Sequence, residues 1–141
     1  MDLIEKSLQI ALSAYTGKKD KAGKTYLLHP LRMMAKMESE EEMATALLHD
    51  VIEDSDYTRE QLLAEGIPNP VADAVQTLTK ERGENYAQFI DRVLKNKLAV
   101  KVKKADIEDN INILRLNSID QNDLKRVAKY HEAWKRLDKA C

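Results

Sequence analysis

The chain has 141 residues, a length that buries one sizeable core and predicts one compact unit over residues 1–141. Charged residues make up 33% of the sequence but leave a formal net charge of −1, so the global basic field of a non-specific nucleic-acid binder is missing and nucleic acid is not an expected partner. The only cysteine, Cys141, excludes an internal disulfide and a thiolate metal site, so any metal centre is built from nitrogen and oxygen.

Low glycine and proline content and apolar residues at helical spacing predict an all-α fold. The first helix carries Ile4, Leu8, Ala11, Leu12 and Tyr15 at steps of three and four, which places Tyr15 on an inward stripe with the aliphatic residues. Gly17 to Gly23 reads as a basic loop, after which Pro30 opens a second helix where a missing N–H costs nothing. Leu31 to Met37 form the apolar part of that helix. A third helix is predicted from Glu40 to about Asp54, with Met43, Ala44, Leu47, Leu48 and Val51 inside.

Thr58 with Gln61 reads as a capping box for a short helix ending near Gly66, and Pro68-Asn69-Pro70 is a strong breaker. Val71, Val75 and Leu78 define the next helix, and Arg82-Gly83-Glu84 the following turn. Three more helices are expected over Tyr86 to Leu94, Leu98 to about Leu114, and Asn122 to Leu137. Apolar runs such as Met43 to Leu48 fall far short of the roughly 18 residues of a membrane span, and Asp2 and Glu5 stand where a secretory leader is basic. A cytoplasmic protein without membrane association is expected, while no feature sets an oligomeric state.

The block Ala46-Leu47-Leu48-His49-Asp50-Val51-Ile52-Glu53-Asp54 places an imidazole and three carboxylates in an otherwise apolar segment. Burying carboxylates costs several kcal/mol unless a cation or hydrogen bonds offset it, so the cluster calls for a metal, a salt partner or a reaction. On a helix His49 and Glu53 are one turn apart, as are Asp50 and Asp54. A second acidic group, Asp106 with Asn110 one turn on, lies in Lys104-Ala105-Asp106-Ile107-Glu108-Asp109-Asn110, where Ile107, Ile111 and Leu114 mark the packed face and Glu108 and Asp109 are expected to face water. A plainer alternative makes His49-Asp50 an internal ion pair and the remaining acids a solvated helix end.

These blocks, together with Ala14-Tyr15-Thr16-Gly17 through Tyr26-Leu27-Leu28-His29-Pro30, Thr77-Leu78-Thr79-Lys80 and Lys101 to Asp106, resemble the HD-domain metal-dependent phosphohydrolases. Among these the similarity is to the small alarmone-hydrolase-like branch related to the hydrolase half of the RelA/SpoT proteins. The resemblance implies a compact HD-domain helical bundle and hydrolysis of the pyrophosphate of a guanosine alarmone such as ppGpp, or of a related nucleotide. It also implies a divalent metal, with manganese expected, on His49, Asp50 and Asp106, and Glu53 and Asp54 managing the attacking water. Lys21, Tyr26 and Asn110 are the implied nucleotide contacts, the other lysines being read as a solvated face.

The pattern departs at one position, since Tyr15 stands where the family has its first ligand histidine. His29 is not a direct ligand in that pattern and is expected to anchor the loop by hydrogen bonds, and His131 reads as surface or packing. A phenol with a pKa near 10 loses its proton reluctantly, so metal affinity is expected to fall. The alternative in another class is a degenerate HD domain that binds nucleotide, or a protein partner, without chemistry.

Overall fold

The computed structural model describes residues 1–141 as nine α-helices and one short 3-10 turn, the all-α architecture the sequence predicts. They are α1 (Leu3–Tyr15), α2 (Leu28–Ala35), α3 (Glu40–Leu48), α4 (Val51–Asp54), α5 (Arg59–Ala64), α6 (Asn69–Thr77), α7 (Tyr86–Val93), α8 (Lys97–Asn110) and α9 (Gln121–Lys139), with the 3-10 turn at Ile113–Arg115. Extended structure is limited to an isolated bridge between Lys19 and Thr25 that closes the basic loop. Gly17 and Gly23 shape that loop with φ of 83° and 79°, left-handed values that cost glycine little and other residues more.

Reciprocal capping boxes start five helices: Asp2 with Glu5, Ser39 with Glu42, Thr58 with Gln61, Asn85 with Gln88, and Asp120 with Asp123. Each satisfies backbone N–H groups that a helix start leaves unpaired, which explains why these boundaries are sharp. Helix α3 packs against α1, α2, α6 and α8, so it has no solvent side over its second half. Ala44, Thr45, Ala46, Leu47 and Leu48 are all fully buried, and the small residues among them let neighbouring helices approach from several directions. The apolar interior forms two clusters, one around α6, α7, α8 and α9, the other around α1, α3, α5 and α6, with Met34 packed against both.

The structure corrects the expected third helix, which breaks at His49-Asp50 into α3 and a single turn, α4. Asp50 has φ −107° and ψ 6°, and its N–H leaves the helical ladder to donate to Tyr15 Oη at 3.0 Å. The stripe of α1 is also rotated. Leu8 and Leu12 are exposed, while Ser7, Ile10, Ala11 and Tyr15 are buried. Helix α8 ends at Asn110, and Leu114, expected on its packed face, lies in the 3-10 turn and is 92% exposed.

Candidate metal centre and nucleotide cleft

Four segments converge on one buried polar cluster: Tyr15 ends α1, His29 lies in the first turn of α2, His49 and Asp50 occupy the break between α3 and α4, and Asp106 sits in α8. His49 Nδ1–H donates to the Ala46 carbonyl at 2.8 Å, turning Nε2 toward the carboxylates. That Nε2 lies 3.3 Å from Asp50 Oδ2 and 3.8 Å from Asp106 Oδ1, yet it is a buried atom without a well-formed hydrogen bond. Burial alone would lower the His49 pKa, but the charges of Asp50 and Asp106 outweigh it and push it up to about 9. An orphaned nitrogen facing carboxylates is the donor set a divalent cation takes, so the residues fit such an ion.

Asp106 accepts from His29 Nε2 at 2.9 Å, Asn110 Nδ2 at 2.8 Å and Lys103 Nζ at 2.8 Å. Burial opposes its charge, but Lys103 and the histidines hold its carboxyl well below the usual range. Lys103 is thus a half-buried partner of Asp106, against the reading of it as a solvated lysine. Asp109 is corrected in the same way. Expected in water, it is 6% exposed and accepts from His29 Nδ1 at 2.5 Å and Arg32 Nε at 2.7 Å, with Arg115 Nη1 at 3.3 Å. His29 and Arg32 are one turn apart on α2, as are Asp106 and Asp109 on α8, so the spacing placed each pair on one face.

Tyr15 is 1% exposed and reaches the cluster through its hydroxyl, which receives the Asp50 N–H. Loss of water, then the Asp50 charge, raises its pKa well above the ordinary phenol value, so it stands there as a neutral hydroxyl. Its ring packs edge-on against Tyr26 at 5.0 Å between centroids, and Tyr26 donates its own hydroxyl to Asp50 Oδ2. Tyr15→Phe keeps the ring but strands the Asp50 N–H. It is expected to cost about 1–3 kcal/mol in urea unfolding, and an unchanged midpoint would show that this hydrogen bond carries no stability.

Glu53 and Asp54 ride on α4 and make no hydrogen bond to the cluster. Glu53 accepts from the Lys80 N–H at 3.2 Å, and Asp54 pairs with Lys18 at 2.8 Å. Partial loss of water and the nearby Asp50 charge raise the Glu53 pKa. Lys18 also lies over the Tyr26 ring at 5.1 Å, so it too is more than a solvated lysine.

Beside the cluster opens a cleft of about 320 Å³ whose wall includes Lys18, Lys19, Lys21, Tyr26, Asn110, Arg115, Arg126 and Tyr130. It brings together the sequence-selected Lys21, Tyr26 and Asn110, and adds cations from the 3-10 turn and α9 that local sequence did not single out. Arg126 is also paired with Asp123 one turn before it on α9, which reads locally as an ordinary surface ion pair.

No family model matches the chain. A Haemophilus influenzae relative named guanosine-3′,5′-bis(diphosphate) 3′-pyrophosphohydrolase is 31% identical over 134 residues, covering 85% of this chain and 20% of the relative. Its namesake in Aquifex aeolicus is 29% identical over 138 residues, covering 89% and 19%. A Myxococcus xanthus relative named GTP pyrophosphokinase is 29% identical over 132 residues, covering 81% and 17%. The chain spans about a fifth of the length of the first two curated relatives.

A solved structure described by the words "a metazoan ortholog of SpoT hydrolyzes ppGpp" shares this fold with a TM-score of 0.70, covering 99% of this chain and 94% of that one at 21% identity. The class is therefore an all-α fold like that SpoT-related structure. More particularly, the sequence likeness and the shared fold support an HD-domain, alarmone-hydrolase-like protein.

Proposed function

We propose that the chain hydrolyses the pyrophosphate of a guanosine alarmone such as ppGpp, or of a related nucleotide, in the cytoplasm, using a divalent cation, manganese, held by His49, Asp50 and Asp106. One observation carries the reading: the basic cleft and the carboxylate cluster share two side chains. Tyr26 lines the cleft and donates to Asp50, and Asn110 lines the cleft and donates to Asp106. An anion in the cleft therefore sits against the candidate metal ligands. The sequence likeness to pyrophosphohydrolases over 85–89% of the chain supports the substrate class.

The bound cation supplies Lewis-acid polarisation of the phosphoryl group and a more acidic water. The protein's residues do the rest. Lys21, Arg115 and Arg126 neutralise phosphate charge that the carboxylates would otherwise repel, and Tyr26 offers a ring face to the base. Glu53, whose pKa is raised by partial loss of water and the Asp50 charge, is placed to take and return a proton, while Asp54, fixed by Lys18, orients the water.

Protein supplied with Mn²⁺ is expected to release pyrophosphate from ppGpp within a panel of nucleotides. Asp50→Ala should abolish release, and Arg126→Ala should raise KM roughly tenfold, as loss of one charge-assisted contact does. If the panel stays intact with several metals while calorimetry still detects nucleotide, the domain binds without catalysis.

A further inference from the structure

We propose that His29 is itself a ligand of the divalent cation, filling by another route the vacancy that Tyr15 leaves in the family pattern. The proposal rests on the reading that the cluster takes a cation. His29, His49 and Asp106 are all buried and present ligand atoms within 4.8 Å of one another. The two imidazoles are oriented by the same device. His49 spends its Nδ1–H on the Ala46 carbonyl, and His29 directs Nδ1 at Asp109 Oδ2, so both Nε2 atoms point inward. A protein acceptor on one ring nitrogen, with the other nitrogen facing the ion, is how metal-binding histidines are held.

The inward distances suit that role. His29 Nε2 and Asp106 Oδ1 lie 2.9 Å apart, close enough to share one cation. Adjacent ligands around an ion with bonds of about 2.1 Å are separated by roughly 3 Å, so the pair already spans one edge of a coordination sphere. Nε2 of His49 lies 3.8 Å from the same oxygen, which completes a set of two imidazole nitrogens and one carboxylate, and it lies 3.3 Å from Asp50 Oδ2. Asp109 is in turn gripped by Arg32 and Arg115, so the His29 ring is locked from behind. Tyr15, by contrast, uses its hydroxyl as an acceptor for the Asp50 N–H and supplies no ligand.

Mn²⁺ titration of the purified chain, followed by pulsed EPR of the loaded protein, tests this. Wild type is expected to take up Mn²⁺ and show nitrogen coupling from two imidazoles. His29→Gln should weaken uptake about 100-fold and leave one coupled imidazole, while Asp109→Asn, which only frees the ring, should weaken it about tenfold.

Coupling from a single imidazole in wild type overturns the assignment, as does unchanged affinity in His29→Gln or no uptake by wild type. If His29→Gln fails to fold, the wild-type spectrum alone decides. Nucleotide assays on the same samples separate the two readings: loaded protein with two coupled imidazoles that leaves every nucleotide intact keeps His29 as a ligand and removes only the hydrolase.

Discussion

Replacing Asp106 with alanine is expected to lower the unfolding free energy by about 3–5 kcal/mol, the cost of stranding a buried charge, and to remove measurable Mn²⁺ uptake. The side chain holds Lys103 at 2.8 Å, Asn110 at 2.8 Å and His29 at 2.9 Å in a buried setting. Burial would strip the Lys103 ammonium of its proton, but the Asp106 charge keeps its pKa raised instead. Without the carboxylate that cation has no compensation. The double variant Lys103→Met with Asp106→Leu removes both charges and should recover much of the stability while still failing to bind metal. Urea unfolding and elemental analysis of the three proteins read the two effects separately. Near-wild-type stability in Asp106→Ala would show that Lys103 finds another partner and that the network is not organised around this aspartate.

Tyr15→His is expected to tighten Mn²⁺ binding tenfold or more and to raise nucleotide hydrolysis, because it brings a neutral nitrogen to the wall where a phenol now sits. The same change removes the edge contact with Tyr26 and the acceptor for the Asp50 N–H, so the metal-free protein should lose about 1–3 kcal/mol. Saturating Mn²⁺ should return that stability through binding to the native state alone. The gain in affinity should vanish in a His49→Ala background. Titration at neutral pH showing no change would mean that Tyr15 does not occupy a ligand position, and its alignment with the family histidine would be withdrawn.

Helix boundaries were legible where local chemistry decides them, as at Thr58 with Gln61, whose capping box reads directly from sequence and forms as expected. The break at His49-Asp50 was not, because it depends on a hydroxyl from α1 competing for a backbone N–H. In α1 the spacing of Leu8 and Leu12 matched a helix but not its orientation, which is set by what α3 and α4 pack against. The polar cluster shows the same division. His49, Asp50 and Asp106 stood out as polar groups in apolar segments, and they come together. Asp109 is only one turn from Asp106, but its burial depends on His29, Arg32 and Arg115 arriving from elsewhere. The contribution of Lys103 likewise required the tertiary structure, since a lysine in a run of lysines reads as solvated.

The break between α3 and α4 gives the protein a backbone reporter at its own centre. The Asp50 amide is held by the Tyr15 hydroxyl and not by a carbonyl of its helix, so its protection from hydrogen exchange measures how often the first helix swings its aromatic end away. Neighbouring amides of α3 exchange only when a helix packed against α1, α2, α6 and α8 opens. Two clocks thus run side by side along a few residues, one set by a single aromatic side chain and the other by the whole bundle.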